Sequence, residues 1–158
     1  MRIQLIAVGR RMPAWVQTGF DDYARRMPHE CRLELVELAP GARVSGDINR
    51  AIADEDKRMT AAIAGSGPAP EVIALSVDGK AWSTERLAEN MRGWLADGRD
   101  RALLVGGPDG LGPASLARAN SRWSLSTLTL PHPLVRVVLA EQLYRAHSIL
   151  VGHPYHRA

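Results

Sequence analysis

The stretch Ala102-Leu103-Leu104-Val105-Gly106-Gly107-Pro108-Asp109-Gly110 decides the reading of the fold. Four consecutive apolar residues without polar alternation describe a strand buried on both faces, as in a parallel sheet covered by helices. The glycines after it let backbone amides approach a flat ligand closely. In open parallel sheets ligands sit beyond the carboxyl ends of the strands. A tight strand-to-helix turn accounts for the same glycines, and the residues alone leave both readings open.

The pattern repeats outward from this strand. Arg2 to Val8 is a second near-continuous apolar run ending at Gly9, Arg32 to Leu38 reads as a strand, and Val72 to Val77 reads as another that turns at Asp78-Gly79. Ser124 to Leu130, rich in Thr and Leu, reads as the fifth. Helical spacing joins Val16, Phe20, Tyr23 and Met27 over 14–27, and Ile48, Ile52, Met59 and Ile63 over about 47–64. Ser83 caps a helix to about Ala96 with Glu85 in its first turn, and Gly98 ends it. Pro113 opens a short helix, and Pro133 stands in the first turn of a last one over 134–150. Strands separated by helices imply an α/β fold, a mostly parallel sheet with helices on both faces. Gly65 to Pro70 is the one breaker cluster and is too short for a linker, so residues 1–158 read as a single domain.

Bulk composition narrows the classes. Of 158 residues 46% are apolar and 23% charged, which suits a globular chain with one core rather than a disordered one. No apolar run approaches the roughly 20 residues that span a bilayer, and the N-terminus lacks the apolar region and cleavage site of a signal peptide. A cytoplasmic protein without a membrane partner is expected. Cys31 is the one cysteine, so no internal disulfide or cysteine-rich metal site forms. Basic residues are Arg except for Lys57 and Lys80. Arginine's planar fork suits phosphates and base edges, although GC-rich coding produces the same bias.

Familiar cofactor motifs fail on spacing. No G-x-G-x-x-G occurs, because the third glycine after Gly110 and Gly112 falls on Ser115; a P-loop fails because Gly79-Lys80 is followed by Ala81. His153 and His156 are three apart with Pro154 between them, and no metal is expected there. Tyr155, His156 and Arg157 together offer stacking, acid–base and phosphate-binding groups, the mix that an RNA base and its phosphates require.

At this point the residues match a family. Gly106 to Gly110, Trp123-Ser124-Leu125-Ser126, Leu128 to Arg136 and the closing His153-Pro154-Tyr155-His156-Arg157 resemble the ribosomal RNA large subunit methyltransferase H family, as do Ile3 to Gly9 and Met12-Pro13. These are small SPOUT-class enzymes that methylate N3 of a pseudouridine in helix 69 of 23S ribosomal RNA. The resemblance covers the whole chain. It implies a C-terminal trefoil knot, a homodimer, S-adenosylmethionine as cofactor, and 23S rRNA in the large subunit or assembled ribosome as partner. Carried over by position, the cofactor residues are Leu75, Gly106, Leu125, Ser126, Thr127, Leu128, Thr129 and Leu130. His132 and Arg136 are expected to contact substrate or stabilise developing negative charge, against the plainer readings of a helix cap and a helix-surface ion pair. Tyr155, His156 and Arg157 are expected to engage the target nucleotide, in cis or across the dimer. Competing expectations are another rRNA or tRNA methyltransferase of the same class, and a non-catalytic ribosome-associated RNA-binding factor.

Overall fold

The computed structural model describes residues 1–157, the side chain of Ser45 excepted; Ala158, the last residue of the expected domain, lies outside the described residues. Five strands form one sheet in the order β2-β1-β4-β3-β5: β1 Arg2–Val8, β2 Arg32–Leu38, β3 Glu71–Ala81, β4 Arg101–Val105 and β5 Ser121–Ser124. Every neighbouring pair is parallel. All five carboxyl ends therefore emerge along one edge.

Side chains alternate across this sheet and both faces are dry, which explains the unbroken apolar runs. Ile3, Leu5 and Ala7 of β1 and Leu103 and Val105 of β4 face one cluster; Ile6, Val8, Ala102 and Leu104 face the other. The first cluster is covered by α1 (Ala14–Ala24), α3 (Thr84–Asp97) and α5 (His132–Leu150), the second by α2 (Ile48–Ala64) and the segment around α4 (Pro113–Arg118). Helices thus lie on both faces, as the strand–helix alternation predicts. Cys31 is fully buried, and burial pushes its thiol up to about 11, which makes it a packing residue.

Local signals set the helix ends. Ser83 accepts the Arg86 amide at 3.1 Å, and Gly98 closes α3 in the left-handed region at φ 71° with its amide on the Trp94 carbonyl. Asp47 caps α2 through the Arg50 amide at 3.1 Å. α1 stops at Ala24 rather than Met27, because Pro28 disfavours helical geometry in the residue before it. Met27 remains buried in the turn that follows. α5 begins at His132, two residues before the expected start, with Pro133 in its first turn.

Two strand readings need correction. β3 does not turn at Asp78-Gly79: it runs on to Ala81, and its register against β5 shifts between Leu75 and Lys80, both of which oppose Trp123. The extra residues bulge outward and the strand resumes. Gly79 permits this, since a Cβ there would lie 2.7 Å from the Trp123 backbone. Ser124 to Leu130 is not a strand either; pairing ends at Ser124 and the rest is a loop. That loop satisfies itself locally, the Ser124 hydroxyl donating to the Ser126 carbonyl at 3.1 Å and the Leu128 amide to the Ser126 hydroxyl at 2.9 Å.

Candidate active site

A cavity of about 540 Å³ opens at the carboxyl ends of β3, β4 and β5. Its volume lies within the usual range for small-molecule sites. Leu75, Ser76 and Val77 of β3 form one wall. Val105, Gly106, Gly107, Pro108, Gly110 and Leu111 form the second. The third is the end of β5, Trp123 and Ser124, with Leu125, Ser126, Leu128, Thr129 and Leu130 of the loop after it, and His132 and Val135 of α5 complete the lining. The glycine turn and the Leu-Thr stretch therefore meet across one hollow. Of the eight residues carried over for the cofactor, only the exposed Thr127 is not in the lining.

The glycine turn is built tightly. Gly107 and Gly110 pair across it, the Gly110 amide donating to the Gly107 carbonyl at 3.0 Å. A Cβ on Gly106 would overlap the backbone of Gly110, so the close approach of the two arms demands glycine there.

Residues far away in sequence hold this turn from beneath. Arg43, on the segment after β2, donates from Nε to Asp109 at 2.9 Å and from Nη1 to Glu55 at 2.8 Å. Glu55 is only 4% exposed and also accepts the Gly41 amide at 2.9 Å. The neighbouring Asp56, also buried, accepts the Ala114 and Ser115 amides at 3.0 Å and the Ser115 hydroxyl, fastening the start of α4. The sequence reading missed all three. A signal existed: Glu55 and Asp56 fall between Ile52 and Met59 on the inward stripe of α2, where paired acids need buried partners.

His132 lines the cavity, and its Nδ1 is buried without a hydrogen-bond partner. Burial lowers its pKa, with the Arg136 charge adding to the effect, so the imidazole is neutral at pH 7. The Trp123 indole Nε1 is another buried donor without a partner, on a residue that also lines the cavity. Arg136 is outside the lining and is 1% exposed. Its Nη1 donates to Glu37 at 2.6 Å and its Nη2 to the Gly9 carbonyl at 2.8 Å, tying α5 to the ends of β1 and β2.

Tyr155, His156 and Arg157 do not line the cavity of their own chain. They form a short 3-10 turn over the far half of α5. The Tyr155 ring lies 4.7 Å from that of Tyr144, and its hydroxyl donates to Glu141 at 2.9 Å. Burial and hydrogen bonds to Tyr23 and Glu141 push its phenol up, so it stays protonated. From His132 to Tyr144 the helix rises roughly 18 Å. Among the described residues no group of three or more His, Cys, Asp or Glu is placed to hold a metal.

A family model described as "Predicted SPOUT methyltransferase" matches residues 1–156 of this chain. The chain belongs to the SPOUT methyltransferase family. Among its members, ribosomal RNA large subunit methyltransferase H of Alkalilimnicola ehrlichii is 58% identical over 100% of both chains. The proteins of that name from Chromohalobacter salexigens and Methylococcus capsulatus are 57% and 56% identical over 99% of this chain and 100% of theirs. A solved methylase family protein from Neisseria gonorrhoeae shares the fold with a TM-score of 0.55 at 13% identity, covering 90% of this chain and 80% of its own.

Proposed function

We propose that this chain transfers a methyl group from S-adenosylmethionine to N3 of a pseudouridine in helix 69 of 23S ribosomal RNA. It does so as a single cytoplasmic catalytic domain, paired in a homodimer, with a C-terminal trefoil knot around the cofactor. The carrying observation is the cavity in which the Gly106 turn and the Leu125–Leu130 loop meet, in a chain of this family.

The residues present fit the donor. Leu75, Leu125 and Leu130 offer apolar walls to a flat nucleoside, and the backbone at Gly106 and along the Ser126–Leu130 loop offers amides and carbonyls. Trp123 contributes the unpartnered Nε1–H. When bound, the cofactor supplies an electrophilic methyl on a sulfonium centre. The chain aligns the target base with it, excludes water and manages one proton. N3 loses its hydrogen as the new N–C bond forms and the bond from the methyl carbon to sulfur breaks, its electron pair staying on sulfur. Neutral His132 accepts that proton, since burial beside Arg136 keeps the ring uncharged. Arg136 is a positioning residue, fixing the His132 turn of α5 against the Gly9 carbonyl.

The roughly 18 Å between the pocket's end of α5 and the tail implies that Tyr155, His156 and Arg157 reach the base from a second copy. The face of α5 supports this pairing, because Leu134, Val138, Ile149 and Leu150 are only partly covered within one chain. Two variants test the site. Arg136→Ala should lower kcat at least tenfold with cofactor affinity little changed. Deleting residues 155–158 should abolish transfer to ribosomes while calorimetry still shows S-adenosylmethionine binding. Undiminished transfer by the truncated chain refutes the tail's role, and mass mapping of helix 69 identifies the modified base.

A further inference from the structure

We propose that Arg10 and Arg11, with Trp15 just inside α1, form the surface that grips the RNA strand entering the site. This rests on the methylation reading and adds the residues that hold the substrate outside the pocket.

Placement comes first. The end of β1 adjoins the glycine turn, since a Cβ on Gly107 would lie 3.1 Å from a Val8 methyl. Gly9 follows at φ 120°, and a Cβ there would lie 3.3 Å from both His132 Cε1 and Arg136 Nη2. Residues 10 and 11 therefore emerge beside the His132 wall of the cavity.

Their state comes second. Arg10 and Arg11 are exposed, and neither has an ion pair or a side-chain hydrogen bond within the described chain. Arg43, Arg101 and Arg136 by contrast are committed to carboxylates. No Asp or Glu occurs in the first twenty residues, so nothing nearby in sequence neutralises the pair. Arg11 also sits at φ 57°, a left-handed conformation that is unfavourable for a non-glycine residue. Such strain persists where a chain uses the resulting backbone direction.

Chemistry comes third. Trp15 is 57% exposed, an indole open to solvent four residues after Arg11 in the chain. Guanidinium forks match phosphate oxygens, and an exposed ring stacks on an unpaired base. Together they describe a single-stranded segment of RNA rather than a free phosphate or an acidic peptide.

Filter binding to purified ribosomes, which needs no turnover, tests this surface separately from catalysis. Arg10→Ala/Arg11→Ala should weaken binding about tenfold or more at 0.1 M salt. The slope of log affinity against log salt should become shallower by roughly 1.4 to 1.8, the loss of two phosphate contacts. Arg10→Lys/Arg11→Lys should restore most of that slope, because point charges still release counterions. Trp15→Leu should weaken binding with the slope unchanged and the oligomeric state retained by light scattering. Cofactor affinity should hold in every variant. Equal binding by wild type and the double alanine variant overturns the proposal, as does the absence of ribosome binding by the wild type. Dissociation of the oligomer by Trp15→Leu overturns the role of Trp15. A wild-type chain that binds ribosomes but transfers no methyl sinks the methylation reading and leaves this surface standing.

Discussion

Arg43→Met is the perturbation that tests how the pocket is held, because methionine keeps the aliphatic stem and removes only the guanidinium. In the native fold that group joins buried Glu55 to Asp109 of the glycine turn, at 2.8 and 2.9 Å. Removing one partner of a fully buried ion pair costs about 3–5 kcal/mol, since the other charge is left unpaired. Arg43 is 26% exposed and Glu55 keeps the Gly41 amide, so the expected loss here is about 2–3 kcal/mol. For a chain of this length that lowers Tm by about 4–12 °C. The Asp109 contact bears on function instead: without it the turn samples other shapes, and roughly tenfold weaker cofactor binding corresponds to about 1.4 kcal/mol of lost preorganisation. Thermal unfolding and titration with S-adenosylmethionine read the two effects. Arg43→Met/Glu55→Gln should recover most of the Tm but not the affinity, because it removes the unpaired charge and leaves the turn untethered. A single variant with native Tm and native affinity would refute this account.

Gly106→Ala should leave the fold intact and weaken cofactor binding at least tenfold, since its Cβ needs space that the Gly110 backbone occupies; calorimetry beside circular dichroism checks both halves. Stability should also depend on pH through His132 and His147, whose folded pKa values are both lowered, chiefly by burial. The sign is fixed by linkage: below about pH 6.5 the unfolded chain takes up protons that the folded chain refuses. Stability is therefore complete above that pH and falls as pH drops through it. Tm should be lower at pH 5.5 than at 7.5, and His147→Phe should reduce the difference; a flat Tm profile in the wild type would contradict it.

How legible the molecule was depends on the range of the forces involved. Ser83 and Gly98 act within a few residues of themselves, so their caps stand in the sequence as plainly as in the fold. The apolar runs of β1 and β4 were readable for the same reason, because a parallel strand covered on both faces needs no polar positions. Leu125 to Leu130 misled, since Thr and Leu suit a strand by composition while Ser126 turns the chain through its own hydroxyl. The extension of β3 was invisible because Gly79 serves a close approach to Trp123, 44 residues away in number, rather than the turn that Asp-Gly ordinarily marks.

By itself, then, the order of residues determined the alternation of strand and helix, the dry sheet, the ends of α2 and α3 and, through its motifs, the family. Three things required the folded chain: that Arg43, Glu55 and Asp109 lock the glycine turn, that Arg136 is spent on Glu37 and the Gly9 carbonyl, and that the tail lies far from the cavity of its own chain. Periodicity and capping are short-range consequences of backbone geometry and burial. A buried charge is paired by whichever segment the sheet order brings beside it, and that order is set only when the whole core closes.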